Sequence, residues 1–225
     1  MEQSYEEIGT HLSLKDRVYE YMKKQIITGK LEPNKHLREA ELSNLMKISR
    51  APIREALNML EKEGFVKIIP RKGAVVSSIS KEEVESIWEI RSLLEPYAAR
   101  TAAKECLDNE LNKLENKLNK LQKEPGDFSN FMQSDLELHE LLYKYLKNKM
   151  LKETIVMVRQ MALRILNFAE GKLALSNEFA NSDIQEHLQI IEALKARDSE
   201  RASASVFVHI INSKHRIIKA LEERE

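Results

Sequence analysis

The chain has 225 residues, room for two modest domains, and 36 Lys and Arg against 36 Asp and Glu leave no net charge. That excludes a globally basic nucleic-acid binder, but residues 1–80 hold 14 basic and 11 acidic side chains, so any DNA contact rests on local placement. A single cysteine, Cys106, excludes an internal disulfide framework and fits a reducing cytoplasm; no signal peptide and no apolar run near membrane-span length is present, so no membrane partner is expected.

Ser13 to Thr28 reads as an amphipathic helix with Leu14, Val18, Tyr21, Met22 and Ile26 inward, ended by Gly29. Leu31-Glu32-Pro33 is a turn, and Glu39 to Met46 is a short helix with Ala40, Leu42 and Leu45 inward. Arg38 opens it; a cation there opposes the helix dipole, which suits a phosphate contact. A third helix starts after Ser49, a capping residue, carries Pro52 in its first turn and stops at Gly64. Ile53, Leu57, Leu60 and Phe65 form its apolar stripe, while Arg50 and Arg54, one turn apart, share another face near its amino end. Phe65 to Ile69 and Ala74 to Ser77 are strands about the turn Pro70 to Gly73, with Arg71 and Lys72 at the tip and Gly73 permitting close backbone approach. An arginine-led helix followed by a basic hairpin is the layout of a winged helix-turn-helix: the helix meets base edges and the wing meets phosphates or a minor groove. For any one of these arginines a solvated surface charge is the simpler reading; the ordered set favours DNA.

Residues 1–79 are therefore expected to bind DNA, and residues 80–225 to form an all-helical second domain, opened without a flexible linker by a capping box from Ser80 to Glu83. Glu82 to about Cys106 is a helix with Val84, Ile87, Ile90 or Arg91, and Leu94 on one stripe, which Pro96 should kink. Leu107, Leu111, Leu114, Leu118 and Leu121 repeat as a packing seam, read as core. Pro125-Gly126-Asp127 breaks the chain, and helices over Ser129–Lys147, Met150–Glu170, Asn181–Ala196 and Asp198–Glu223 complete an antiparallel bundle of about six. The fold class is mainly α. Asp135 and His139 leave the same face of one helix, and His187 and His209 stand on the last two; a carboxylate and three imidazoles suit a divalent transition metal. Spacing leaves duller readings open, since an Asp–His pair is often a surface contact and a lone histidine a packed one. His215 lies about 240° round its helix from His209 and, with His11 and His36, reads as solvated.

The stretches LREAELSNLM and SRAPIREALNMLEKEGFV resemble the DNA-binding domain of GntR-type bacterial transcription regulators. By that resemblance Arg38, Arg50 and Arg54 match the DNA-contacting arginines and Gly73 the wing-tip glycine, with Ala51 where the family usually has threonine. SDLELHELLYKYLKNKML, EHLQIIEALKARDSERASASVFVHI and EIRSLLEPYAARTAA resemble the FCD effector-binding domain of FadR-type members, and about six helices resembles the VanR-like branch. The resemblance implies Asp135, His139, His187 and His209 as ligands of zinc, with nickel or manganese as alternatives, and an effector pocket bordered by Arg91 and, less directly, Arg164. A guanidinium there would clamp a carboxylate; for Arg91 the alternative is an ion pair with Glu95 along the helix, worth a few tenths of a kcal/mol. The implied protein is not an enzyme but a homodimeric regulator, expected to repress, on double-stranded DNA with a palindromic operator, controlled by a small carboxylate metabolite. A metal-responsive regulator and a metalloenzyme fused to a DNA-binding domain are the alternatives; the second lacks an evident general base, since Glu140 and Glu186 are expected to point away from the ligands.

Overall fold

A computed structural model describes residues 12–123, 128–173 and 177–222; His11 and the break at Pro125-Gly126-Asp127 lie outside them. The chain divides into two compact units, one comprising residues up to Ser80 together with 163–171, the other residues 81–162 and those from 172 onward.

In the first unit α1 (Leu14–Ile27), α2 (Glu39–Met46) and α3 (Arg50–Lys62) accompany strands β1 (His36–Leu37), β2 (Val66–Ile69) and β3 (Gly73–Val76). Ser13 caps α1 by accepting from the Asp16 N–H. Val18, Met22 and Ile26 of α1 pack with Ile53, Ala56, Leu57 and Leu60 of α3, all buried, the hydrophobic term that offsets the entropy of ordering these helices. Tyr19, not Tyr21, joins that face, and Lys23 is buried beside it because Glu63 of the following segment accepts from its Nζ at 2.5 Å. Leu14 and Leu45, expected inward, are exposed.

The wing has one strand more than the sequence suggested. β3 lies between β1 and β2, antiparallel to both, with Leu37 and Ile68 flanking Ala74 and Val66 opposite Val76. Two residues of strand carry too little pattern to register as one, and β1 exists only because β3 offers it a ladder. Gly73 has φ +93°, and a Cβ placed on it would stand 2.5 Å from the carbonyl oxygen of Leu37. The close approach that requires glycine is therefore to the protein's own strand.

Six further helices follow, α4 (Lys81–Glu105), α5 (Asp108–Lys123), α6 (Phe128–Lys144), α7 (Lys149–Leu173), α8 (Asn177–Lys195) and α9 (Ser199–Glu222); all belong to the second unit except residues 163–171 of α7, which belong to the first. α4 packs along α9, α9 against α8, α4 against α6, and α5 against α8. The seam on α5 is core for Leu111, Leu114, Leu118 and Leu121, whereas Leu107 precedes the helix and is exposed. α4 continues through a buried Pro96. Its inward stripe carries Trp88, Arg91 and Glu95 while Ile90 is exposed, so polar residues displace an isoleucine from the core. Among the described residues no helix is long and apolar enough to cross a membrane.

Candidate DNA-contact face and buried histidine centre

In the first unit, the start of α3, the start of α2 and the wing tip enclose a concavity of about 890 Å³ whose lining includes Arg38, Arg50, Arg54, Arg71, Lys72 and Gly73. Six of the seven residues expected to meet DNA thus share one surface. Ser49 stands at the N-cap of α3 without a side-chain capping bond. Arg38 is exposed and pairs with Glu41 at 3.0 Å. Arg54 is the most constrained: its Nε donates to Oε1 of Glu39 at 2.9 Å and its NH2 to Oε2 at 2.7 Å. That fork holds the Glu39 carboxyl below its ordinary range. It occupies one edge of the guanidinium and leaves NH1 and the second NH2 proton outward, the pair of donors a guanine edge accepts. Glu39 lies fifteen residues before Arg54, and nothing local in the sequence signals the pairing.

The second unit brings Asp135 and His139 of α6, His187 of α8 and His209 of α9 together in its interior. Each offers a ligand atom within 4.8 Å of the others', and all four are at most 4% exposed. The ring centroids of His187 and His209 are 4.6 Å apart, those of His139 and His209 5.3 Å. Asp135 Oδ1 lies 3.5 Å from His139 Nε2 and 3.7 Å from His187 Nε2, while its Oδ2 takes a hydrogen bond from NH2 of Arg159 on α7.

Second carboxylates orient the rings. Nδ1 of His139 donates to Glu95 Oε2 at 2.5 Å, and Nδ1 of His209 to Glu186 Oε2 at 2.8 Å. With Nδ1 carrying the proton, each Nε2 keeps its lone pair, the tautomer a metal needs. Glu186 therefore does not point away as expected: although it precedes His187 on α8, its carboxylate reaches across to α9. It also accepts from Asn212 and Arg216. Glu140 is exposed.

Electrostatics match this arrangement. Burial drives His187 well below its ordinary pKa and His209 down to about 3, so both rings are neutral at pH 7. Burial opposes charge on Asp135, but the Arg159 guanidinium and His139 beside it hold the carboxyl well below the usual range. The same competition leaves Glu95 lowered, its burial outweighed by Arg91 and His139.

Among the described residues, His139 Nε2 and both nitrogens of His187 are buried with no hydrogen-bond partner. Buried polar atoms are nearly always satisfied, and three imidazoles with a carboxylate are a donor set for a divalent transition metal. The residues fit such an ion.

Arg91 forms the intrahelical pair, Nε to Glu95 Oε1 at 2.6 Å, yet the pair is buried rather than solvated and links to the centre through Glu95. Arg164 is not brought to the cluster. Five positions after Arg159, it lies about 140° further round α7, among residues 163–171 of the first unit, where its NH1 donates to the Ser77 carbonyl, 2.9 Å away. His36 and His215 are exposed. Glu95, Arg159 and Glu186, the partners of His139, Asp135 and His209, were not singled out as members of the site in the sequence.

Comparison with known proteins bears on both units. Residues 14–76 match the gntR family of bacterial regulatory proteins and residues 86–212 the FCD domain. An uncharacterized HTH-type transcriptional regulator of Bacillus subtilis, YdhC, is 30% identical over 210 residues, covering 91% of each chain. The HTH-type transcriptional repressor RspR of Escherichia coli is 25% identical over 196 residues, 86% of this chain and 84% of that one. The structure of E. coli McbR/YncC has the same fold, with a TM-score of 0.77 at 23% identity over 92% of this chain and 98% of that chain. The chain belongs to the GntR family of bacterial regulatory proteins and is a transcriptional regulator of the FCD type.

Proposed function

We propose that the protein represses transcription from a palindromic operator as a homodimer, and that a small carboxylate metabolite, bound at a divalent metal in the second unit, controls it. Arg38, Arg50 and Arg54 meet the major groove and its phosphates, Arg71, Lys72 and Gly73 form the wing contact, and Ser49 lies at the edge of the same surface. The name of RspR, a repressor, supports the direction of control. On α4, Ile90, Leu93 and Tyr97 form an exposed apolar stripe at positions i, i+3 and i+7, a surface suited to a second copy of the chain.

Asp135, His139, His187 and His209 hold the ion, with zinc first and nickel or manganese next. When bound, it supplies a Lewis-acidic position at which a carboxylate oxygen can coordinate. Glu95 and Glu186 keep the ring protons on Nδ1, and the surrounding core excludes water. A hydrolytic role finds little support, because the nearest carboxylate outside the four ligands on α8, Glu186, is already engaged by His209, Asn212 and Arg216.

The observation that carries the metal reading is the set of partnerless imidazole nitrogens. The test is elemental analysis of protein purified without chelator, followed by DNA-binding titration on operator sequences selected from a random pool, with metal removed and restored. One metal per chain and a carboxylate-dependent release of DNA are expected. Metal-free protein that takes up none on reconstitution refutes the centre; absence of any selected sequence refutes the DNA reading.

A further inference from the structure

The wing tip is a tight turn: the Ile69 carbonyl accepts from the Lys72 N–H at 3.0 Å, and Arg71 adopts φ +64°. So short a turn has little play of its own, and Arg71 and Lys72 go where β2 and β3 point. β2 is an edge strand of the sheet. At the base of the hairpin the Ser77 N–H bonds the Phe65 carbonyl. Bonded and unbonded pairs alternate along an antiparallel ladder, so Lys67 and Ile69 bond with their partners Val75 and Gly73. The N–H of Ile68 therefore faces away from β3, into the open edge.

Glu61 takes that proton: its Oε1 accepts from the Ile68 N–H at 2.7 Å. Glu61 is exposed in the last turn of α3, where a carboxylate opposes the helix dipole, so the helix itself gains nothing from an acid there. The bond ties the end of α3 to β2 only three positions before Arg71. A second tie lies at the base of the hairpin, where Ser77 Oγ donates to the Gly64 carbonyl at 2.7 Å beside the buried Val66. An attachment at the base alone would act as a pivot. Two attachments spaced along the strands fix the angle of the wing to α3.

We propose that Glu61 is the wing-positioning residue of the DNA-contact face: it sets the reach of Arg71 and Lys72 relative to Arg50 and Arg54, so that the wing and α3 engage one duplex together. It acts through the backbone of β2 and makes no contact with DNA. This rests on the DNA reading of the first unit and adds to it the residue that couples its two contact elements. Without the tie, each element still binds, but the second contact loses the advantage of being held in place by the first.

The test compares Glu61→Gln with Glu61→Ala in the full-length protein. Both remove the negative charge, which by itself favours approach to phosphates, and only glutamine keeps an acceptor for the Ile68 N–H. Affinity is measured over a salt series on the duplex that the wild type selects from a random pool. Glu61→Ala should bind about fivefold or more weakly than Glu61→Gln, with a slope of log affinity against log salt smaller by about 1. With Arg71→Ala and Lys72→Ala also present, the difference between the two should fall below about twofold, because the tie then has no wing contact to place. Amide exchange of residues 66–69 without DNA should be faster in Glu61→Ala and close to wild type in Glu61→Gln.

Equal affinity of the two variants overturns the proposal. A difference that persists without the basic wing tip overturns it too, since Glu61 would then act through α3. Unchanged exchange of residues 66–69 in Glu61→Ala shows that the bond does not hold the strand, with the same consequence. A wild type that selects no duplex overturns the DNA reading and this role with it, whereas selection of a duplex with equal binding by both variants removes Glu61 alone.

Discussion

Replacing Gly73 by alanine separates two causes that usually act together. At φ +93° an L side chain is disfavoured, by about 1–2 kcal/mol. In addition the new Cβ would stand 2.5 Å from the Leu37 carbonyl oxygen and 3.3 Å from the Arg38 Cα, both backbone atoms that cannot rotate away. β1 must then shift from β3, and the links at risk are Asn34 N–H to Val76 O and Val76 N–H to Lys35 O, each contributing about 0.5–1.5 kcal/mol. The expected total is about 3 kcal/mol, roughly a hundredfold in the local opening equilibrium. Gly29 supplies the control: its φ is +73° but a Cβ there meets nothing within 4 Å, so Gly29→Ala should carry only the conformational part, about 1 kcal/mol or roughly fivefold. Amide hydrogen exchange of residues 34–37 and 73–77, measured on the full chain by mass spectrometry, reads both. If Gly73→Ala left protection of these amides within threefold of wild type, β1 would not pack against Gly73 as described.

Arg54→Ala should weaken selected-operator binding by roughly ten- to a hundredfold and flatten preference at one base position, measured by competition against base-substituted duplexes. Lys72→Ala should weaken all duplexes alike and lower the slope of log affinity against log salt by about 1, read from titrations over a salt series. Leu93→Lys, on the exposed stripe of α4, should shift sedimentation from dimer to monomer with helical content unchanged by circular dichroism. Acid stability of the metal-free protein follows from His187, whose folded pKa lies well below its unfolded value near 6.5 because of burial. The unfolded chain then binds the proton that the folded chain refuses, so stability present above about pH 6.5 is lost as pH falls below it; urea midpoints between pH 7.5 and 5 check this, and a flat profile contradicts it.

The candidate DNA-contact face was legible as one surface because its residues lie close in sequence and its helices follow apolar spacing. Arg50, Arg54, Arg71 and Lys72 span little more than twenty positions, and the α3 stripe of Ile53, Leu57 and Leu60 fixes which way the arginines turn. What escaped was non-local. β1 gains its ladder only from β3, and Arg54 finds its carboxylate on α2. On α4 hydrophobic spacing alone would have chosen Ile90, whereas the fold buries Arg91 and Glu95. Periodicity assumes that charged side chains seek water, and it fails where they seek one another.

That failure also marks where the chemistry is. Asp135, His139, His187 and His209 were candidates from residue type and helix position, and the resemblance to the FCD domain is what singled them out as a possible ligand set. Their supports could not be named, since Glu95, Arg159 and Glu186 each reach a ligand on a different helix, and an isolated Glu or Arg in a helix has many uses. Yet these three decide what the centre can do. Glu95 and Glu186 each set the tautomer of a histidine, and Arg159 holds Asp135. A bundle stabilised only by packing would replace such a network with leucines at little cost or some gain. If the proposed metal and carboxylate bind where these groups are buried, at the meeting of α4, α6, α7, α8 and α9, they would offset the cost of burying them, and ligand binding and the packing of the helices would form a single equilibrium.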